Sequence, residues 1–292
     1  RVWPAPCPGS YRLQAGYNGQ IMMTGSQQTK PVTLASLQDM QQRGEKIACL
    51  TVYDASFTRL LESAGVDMFI IGDSLGMVMM GYDSTVPVTL DDMLHHAANV
   101  ARAGETAWRI VDLPCGSYET PEQALTSARR LVDEGGAHMV KLEGGVDRVS
   151  IVKHLVSKDI PVCGHVGLLP QSVEKYGGYK VQGRDAAGAA AILADALALQ
   201  QAGADMLVVE CVPAELTLQI TASLQVPVIG IGAGAACDGQ VLVLYDMLGI
   251  SSGRVPRFVK DFLQEHGSIH AAISAYVRAV KDGSYPATEH SY

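Results

Sequence analysis

The chain has no CxxC pair among its six cysteines, no cluster of Lys and Arg, few aromatic residues, and no apolar run approaching the ~20 residues that span a bilayer. Each absence removes a class. Without paired cysteine spacing neither a disulfide frame nor a zinc site is encoded. Cys7, Cys49, Cys115, Cys163, Cys211 and Cys237 read as small residues of a reducing cytoplasm, and none is given a catalytic role. A net charge of −8 without a basic stretch argues against nucleic acid or an anionic membrane as the main partner.

What remains is apolar. Of 292 residues 48% are hydrophobic and 30 are glycine, enough for one large core. The organising stretch is MFIIGDSLG, Met68 to Gly76, in which four apolar residues run without alternation into Gly72 and then Asp73-Ser74. Such a run reads as a strand buried on both faces of a parallel sheet. The shape recurs: RIVDL ends near Asp112, MVKLE carries Lys141 and ends on Glu143, PVCGH ends on His165, and MLVVE ends on Glu210. Each apolar strand delivers an ionisable group at its carboxyl end, where parallel α/β folds gather their active sites.

Helical stretches alternate with these strands. Thr89 reads as the cap of LDDMLHHAANVARA, and Thr120-Pro121-Glu122-Gln123 opens the next helix as a capping box. Ala64-Gly65, Gly135-Gly136 and Ala202-Gly203 each end a helix just before a strand. With PVIGIGAG and VLVLYD as the last two, eight strands are counted. The expected fold is a (β/α)8 TIM barrel over residues 30–292, its bottom plugged by the N-terminal helix TLASLQDMQQRG, with C-terminal helices in RFVKDFLQ and IHAAISAYVRAVKDG. Residues 1–29, rich in Gly, Pro, Ser and Gln, read as a disordered leader outside that fold.

Asp73, Asp112 and Glu143 end neighbouring strands, and three acids meeting at one rim repel each other unless a cation or shared protons intervene. An all-oxygen set suits Mg²⁺ better than Zn²⁺, although any one of these acids alone would read as a helix cap. Lys141 lies two residues before Glu143 on the same face of a strand, placed to receive an anionic substrate group. Glu210 would face the acids across the barrel as a general base. His165 is open between orienting substrate, relaying a proton and a structural bond. GIGAG, Gly230 to Gly234, lacks the spacing of a dinucleotide fingerprint, and GGYKVQGR is a loop placed to cover the mouth.

The motifs TVYDASF, GDSLGM, GYDSTVPVT, DLPCGSY, MVKLEGG, PVCGHVGLLPQS, GGYKVQGR, VVECVP, IGIGAG, DGQVLV and YPATEHSY span Thr33 to Tyr292. Together they resemble the ketopantoate hydroxymethyltransferase family. That resemblance implies a (β/α)8 barrel transferring a hydroxymethyl group from 5,10-methylenetetrahydrofolate to 3-methyl-2-oxobutanoate, with Mg²⁺, as a cytoplasmic homo-oligomer, a ring of ten. It implies Asp73 and Asp112 as metal ligands with Glu143 completing the site, Ser74 and Lys141 on the keto-acid carboxylate, and Glu210 as the proton acceptor. Cys115 stands where the family usually has Phe and Leu169 where Thr is common, which bears on pocket shape and folate fit. The alternatives are a related Mg²⁺ barrel cleaving C–C or P–C bonds of oxo-acids without folate, against which GGYKVQGR and VVECVP argue, and a catalytically silent assembly protein, against which the intact strand-end charges argue.

Overall fold

The computed structural model describes residues 30–175, 177–251 and 255–292; the expected leader, with Cys7, lies outside them. The elements follow in the order α1 (Leu34–Gln42), β1 (Ile47–Thr51), α2 (Ala55–Ser63), β2 (Met68–Ile71), α3 (Leu75–Val78), α4 (Leu90–Ala103), β3 (Trp108–Asp112), α5 (Pro121–Asp133) and β4 (Met139–Glu143). Then come α6 (Val149–Val156), β5 (Val162–Gly167), α7 (Ala186–Gln201), β6 (Met206–Glu210), α8 (Ala214–Ser223), β7 (Val228–Ile231), β8 (Gly239–Leu242), α9 (Leu244–Met247), α10 (Phe262–His266) and α11 (Ile269–Lys281). The eight strands, all parallel, close in sequence order into a barrel, β1 pairing with β8.

The strands are continuous apolar runs because both of their faces are covered. Every residue of β1, β2 and β4 is buried. Side chains alternate along a strand, so Met139, Lys141 and Glu143 share one face and Val140 and Leu142 the other. Burying each large aliphatic side chain of this kind contributes about 1.5–3 kcal/mol, which is what lets the barrel carry charge inside it.

Helix starts follow their caps. Thr89 accepts from Asp92 N and closes a capping box. At Thr120 the hydroxyl takes Gln123 N at 3.2 Å, but the Gln123 side chain accepts from Glu119 N instead of returning to Thr120, so the expected box is half formed. The glycines at the helix-to-strand turns need the left-handed region, with φ of 88° at Gly65, 70° at Gly136 and 102° at Gly203.

Helix α1 seals the bottom as expected. Gln41 Nε2 donates to Val226 O at 2.9 Å and Val32 N to Thr106 O at 2.7 Å, both acceptors lying just before a strand. Two expectations are corrected and one element is added. The run VLVLYD is not one strand: β8 ends at Leu242, Leu244 N donates to Thr51 Oγ1 at 3.0 Å rather than to the ladder, and α9 follows. In RFVKDFLQ the helix begins only at Phe262, where Asp261 caps it. The unexpected α3 follows Asp73-Ser74 directly.

No helix separates β7 from β8. The last helix, α11, covers that side: the buried Tyr276 hydroxyl lies 2.8 Å from Cys49 O on β1 and 2.9 Å from Gln240 O on β8. Phe262, Tyr276 and Tyr285 pack around it with ring centroids 5.6 to 5.8 Å apart.

Candidate active site

At the carboxyl ends of the strands the side chains of Asp73, Asp112, Lys141, Glu143 and His165 are buried, and Glu210 is 14% exposed. Register makes them neighbours, since Asp112 pairs with Lys141 and Glu143 with His165 on adjacent strands, and Gly167 pairs with Glu210. Lys141 Nζ contacts Asp112 Oδ2 at 3.1 Å, and the same oxygen accepts from Asp73 N at 3.2 Å. A cation in the core is costly alone, and here its partners are three acids. Burial works against the Lys141 ammonium, yet Asp112, Glu143 and Asp73 together hold its proton well above the usual lysine range.

One ammonium does not balance the acids. Burial, then the neighbouring Asp112, pushes Asp73 up to about 7. Burial, then Asp73, moves Glu143 well above the ordinary carboxylate range, and burial lifts Glu210 to about 8. Burial and the nearby Lys141 keep His165 neutral, well below its usual value. Lys141 has only donors, so at 3.4 Å from His165 Nδ1 it requires that nitrogen to be the acceptor. The ring proton is then on Nε2, 3.2 Å from Glu210 Oε2, close but short of hydrogen-bond alignment.

Ser74 lies at the edge of this cluster, its Oγ 2.9 Å from the hydroxyl of the buried Tyr53. A Cβ on Gly72 would stand 3.0 Å from that Oγ and 3.5 Å from Asp112 Oδ2, so the glycine keeps the wall of the site open. Of the other residues the sequence singled out, Gly230 to Gly234 form the end of β7 and its turn, and the loop 177–184 reaches the rim, where Tyr179 OH donates to Met77 Sδ at 3.3 Å. Cys49, Cys163, Cys211 and Cys237 are buried and Cys115 partly so, and all five are free thiols.

Sequence reasoning missed Gln171. It stands in the short turn Pro170–Ser172 after β5, a neutral residue in a loop, and its side chain donates to Asp73 Oδ2 at 2.8 Å. It also missed Tyr118, whose hydroxyl donates to Gln171 Oε1. Their only signal was position, each lying a few residues past a strand with an ionisable group at or near its end, His165 on β5 and Asp112 on β3.

The donor set suits a hard cation. Asp112 Oδ1 and Glu143 Oε1 are buried without a partner, and a divalent ion is what such oxygens accept. Among the described residues no three His, Cys, Asp or Glu side chains close a cage by themselves. Mg²⁺ is a hard cation of this kind, held by one or two carboxylates with water or substrate oxygens filling the rest of its shell.

A sequence profile of the family described as ketopantoate hydroxymethyltransferase matches residues 31–288. The chain belongs to the ketopantoate hydroxymethyltransferase family. It is 56% identical over 261 residues to a 3-methyl-2-oxobutanoate hydroxymethyltransferase of Nitrosococcus oceani, covering 89% of this chain and 99% of that one. The identity to the enzyme of the same description from Burkholderia thailandensis is also 56%, with 89% and 96% covered. Membership makes the chain an enzyme of the transferase class.

Solved structures agree on the fold at much lower identity. A putative phosphonomutase from Burkholderia cenocepacia superposes with a TM-score of 0.59 at 19% identity, over 74% of this chain and 94% of that one. A phosphoenolpyruvate phosphomutase from Streptomyces platensis gives 0.56 at 16% identity, with 74% and 82% covered. This chain thus shares its barrel fold with proteins of other descriptions.

Proposed function

We propose that this hydroxymethyltransferase carries a one-carbon unit from 5,10-methylenetetrahydrofolate to C3 of 3-methyl-2-oxobutanoate, giving 2-dehydropantoate and tetrahydrofolate, as the committed step towards pantothenate. The names of the relatives support the acceptor. The observation that carries the mechanism is the buried set of acids with two oxygens left unpartnered beside a single ammonium.

Asp73 and Asp112 would hold Mg²⁺, with Glu143 completing its surroundings. Bound there, the ion supplies a Lewis acid toward the keto and carboxylate oxygens of the substrate. Lys141 and Ser74 bind the carboxylate. Glu210, across the barrel, takes the proton from C3; its value of about 8 makes it a stronger base than an exposed glutamate, once ionised near neutral pH. His165 holds its Nε2 proton 3.2 Å from Glu210 Oε2, near enough to orient that carboxylate once the two align around bound substrate. The C3 carbanion bonds to the methylene carbon of the folate, both C–N bonds of that carbon break, a water supplies the hydroxyl of the product, and the C3 proton and the second water proton end on N5 and N10 of the departing tetrahydrofolate. The burial of the cluster keeps bulk water from quenching the carbanion, and Cys115 and Leu169 shape the approach of the folate.

Residues 30–292 act as one catalytic barrel, and the enzyme works in the cytoplasm, in keeping with five free cysteines, as a homo-oligomer.

The test is deuterium uptake at C3 of 3-methyl-2-oxobutanoate in D₂O with and without Mg²⁺, for the unsubstituted enzyme and Glu210→Gln. Mg²⁺-dependent exchange that falls by about 100- to 10,000-fold on substitution is expected. Equal exchange in both proteins would remove Glu210 as the base. No exchange in either, with tetrahydrofolate also present, would sink the assignment.

A further inference from the structure

We propose that Gln171 is a positioning residue: it clamps one oxygen of Asp73 and one of Glu143, so that the other oxygen of each is turned toward a divalent cation. The proposal rests on the reading of these acids as the Mg²⁺ site.

The clamp uses every hydrogen-bonding group that Gln171 has on this side. Its Nε2 donates to Asp73 Oδ2 at 2.8 Å and to Leu113 O at 3.0 Å, its backbone N donates to Glu143 Oε2 at 3.0 Å, and its Oε1 accepts from Tyr118 OH. The amide can be read only one way round. Flipped, its oxygen would face a carboxylate and a carbonyl, both acceptors. Tyr118 adds a second hold, its hydroxyl accepting from Glu143 N at 3.4 Å while Arg148 lies over its ring at 5.1 Å and donates to Glu143 O at 3.3 Å.

The consequence lies in which oxygens stay free. Oε2 of Glu143 is taken and Oε1 is a buried atom without a partner. Asp112 repeats the pattern on its own, with Oδ2 held by Lys141 and Asp73 N, and Oδ1 unpartnered. Each acid thus has one anchored oxygen. Charge explains the residue type: a carboxylate here would add one more negative charge to an overcharged cluster, and an ammonium would occupy the place of the cation. A neutral side chain with two donors and one acceptor orients the acids without neutralising them.

The measurement is Mn²⁺ binding followed by electron paramagnetic resonance, with Mg²⁺ as competitor, on the full enzyme and on Gln171→Ala and Tyr118→Phe. Both variants are also checked by circular dichroism and thermal unfolding. Gln171→Ala is expected to weaken Mn²⁺ binding by about 10- to 100-fold. Tyr118→Phe, which removes the donor that fixes the amide and the weak acceptor of Glu143 N but leaves both bonds from Gln171 to the acids, is expected to weaken it less and in the same direction, and to raise the KM for Mg²⁺ more than it lowers kcat. Unchanged Mn²⁺ affinity in a folded Gln171→Ala, or in Tyr118→Phe if the first does not fold, overturns the proposal while leaving the metal site standing. An unsubstituted enzyme that binds no Mn²⁺, even with the keto acid present, overturns the metal reading itself.

Discussion

The two ends of the barrel carry the same kinds of charged residue and treat them in opposite ways. At the bottom, Asp67 Oδ2 accepts from Ala48 N at 2.9 Å and meets Lys281 Nζ at 2.6 Å, and Asp238 Oδ2 accepts from Val228 N at 2.9 Å. Glu62 likewise takes Thr106 N and Ala107 N at 2.8 and 2.9 Å. Each of these acids ties loop or strand backbone together. At the top, Asp112 Oδ1, Glu143 Oε1 and His165 Nε2 are buried and unmatched. The bottom uses charge to close the fold, and the top holds charge in reserve for a ligand.

The comparison is broken most forcefully at Lys141. Lys141→Met removes the one ammonium from the acids, and activity is expected to fall by at least about 100-fold, with stability down by about 3–5 kcal/mol. Steady-state kinetics and thermal unfolding check both; an equally stable variant would mean that the top is balanced by another group.

Next comes the mirror experiment at the bottom. Asp67→Ala strips Ala48 N of its acceptor and Lys281 of its nearest anion, at a cost of about 2–3 kcal/mol. Its kcat is expected to be unchanged, and a large loss of turnover without a drop in Tm would erase the distinction between the ends.

A pH series sharpens the comparison without mutation. Glu210 at about 8 and Asp73 at about 7 retain protons in the folded state that the unfolded chain has already released. Between pH 7 and 8, past the ordinary histidine midpoint, stability of the metal-free enzyme therefore falls as pH rises, by on the order of 1 kcal/mol. Glu210→Gln should flatten the slope of Tm against pH, whereas a Tm climbing through that window would contradict the assigned direction. The smallest effect is at the seam, where Tyr276→Phe is expected to cost about 1 kcal/mol in urea unfolding and nothing in rate.

Much of this was legible along the chain, and for a physical reason. A strand buried on both faces is mostly apolar, so Asp73, Asp112, Lys141, Glu143, His165 and Glu210 stood out as ionisable groups at or near the carboxyl ends of such runs. Their grouping then followed from the order of strands in a barrel. Gln171 was not legible because its meaning is wholly tertiary, its partner Asp73 lying 98 residues away and no local pattern marking it. VLVLYD was misread because an apolar run suits a buried strand or a buried helix equally, and the bond from Leu244 N to Thr51 decided between them. In RFVKDFLQ the periodicity was helical, but the cap at Asp261 came late.

The contact of Tyr276 with the β1–β8 seam also sets an order of events on the ribosome. The tyrosine meets Cys49 O across 227 residues of chain, and Leu244 bonds Thr51 across 193. At a synthesis rate of about 5–20 residues per second, β1 waits roughly 10–40 s with one edge open before β8 exists to pair with it. During that interval the nascent half-barrel is an open sheet, exposed to pairing with any other strand in reach. Placing the covering helix after β8 in the chain makes closure a late act of translation, and leaves the nascent barrel most in need of a chaperone until that helix has emerged.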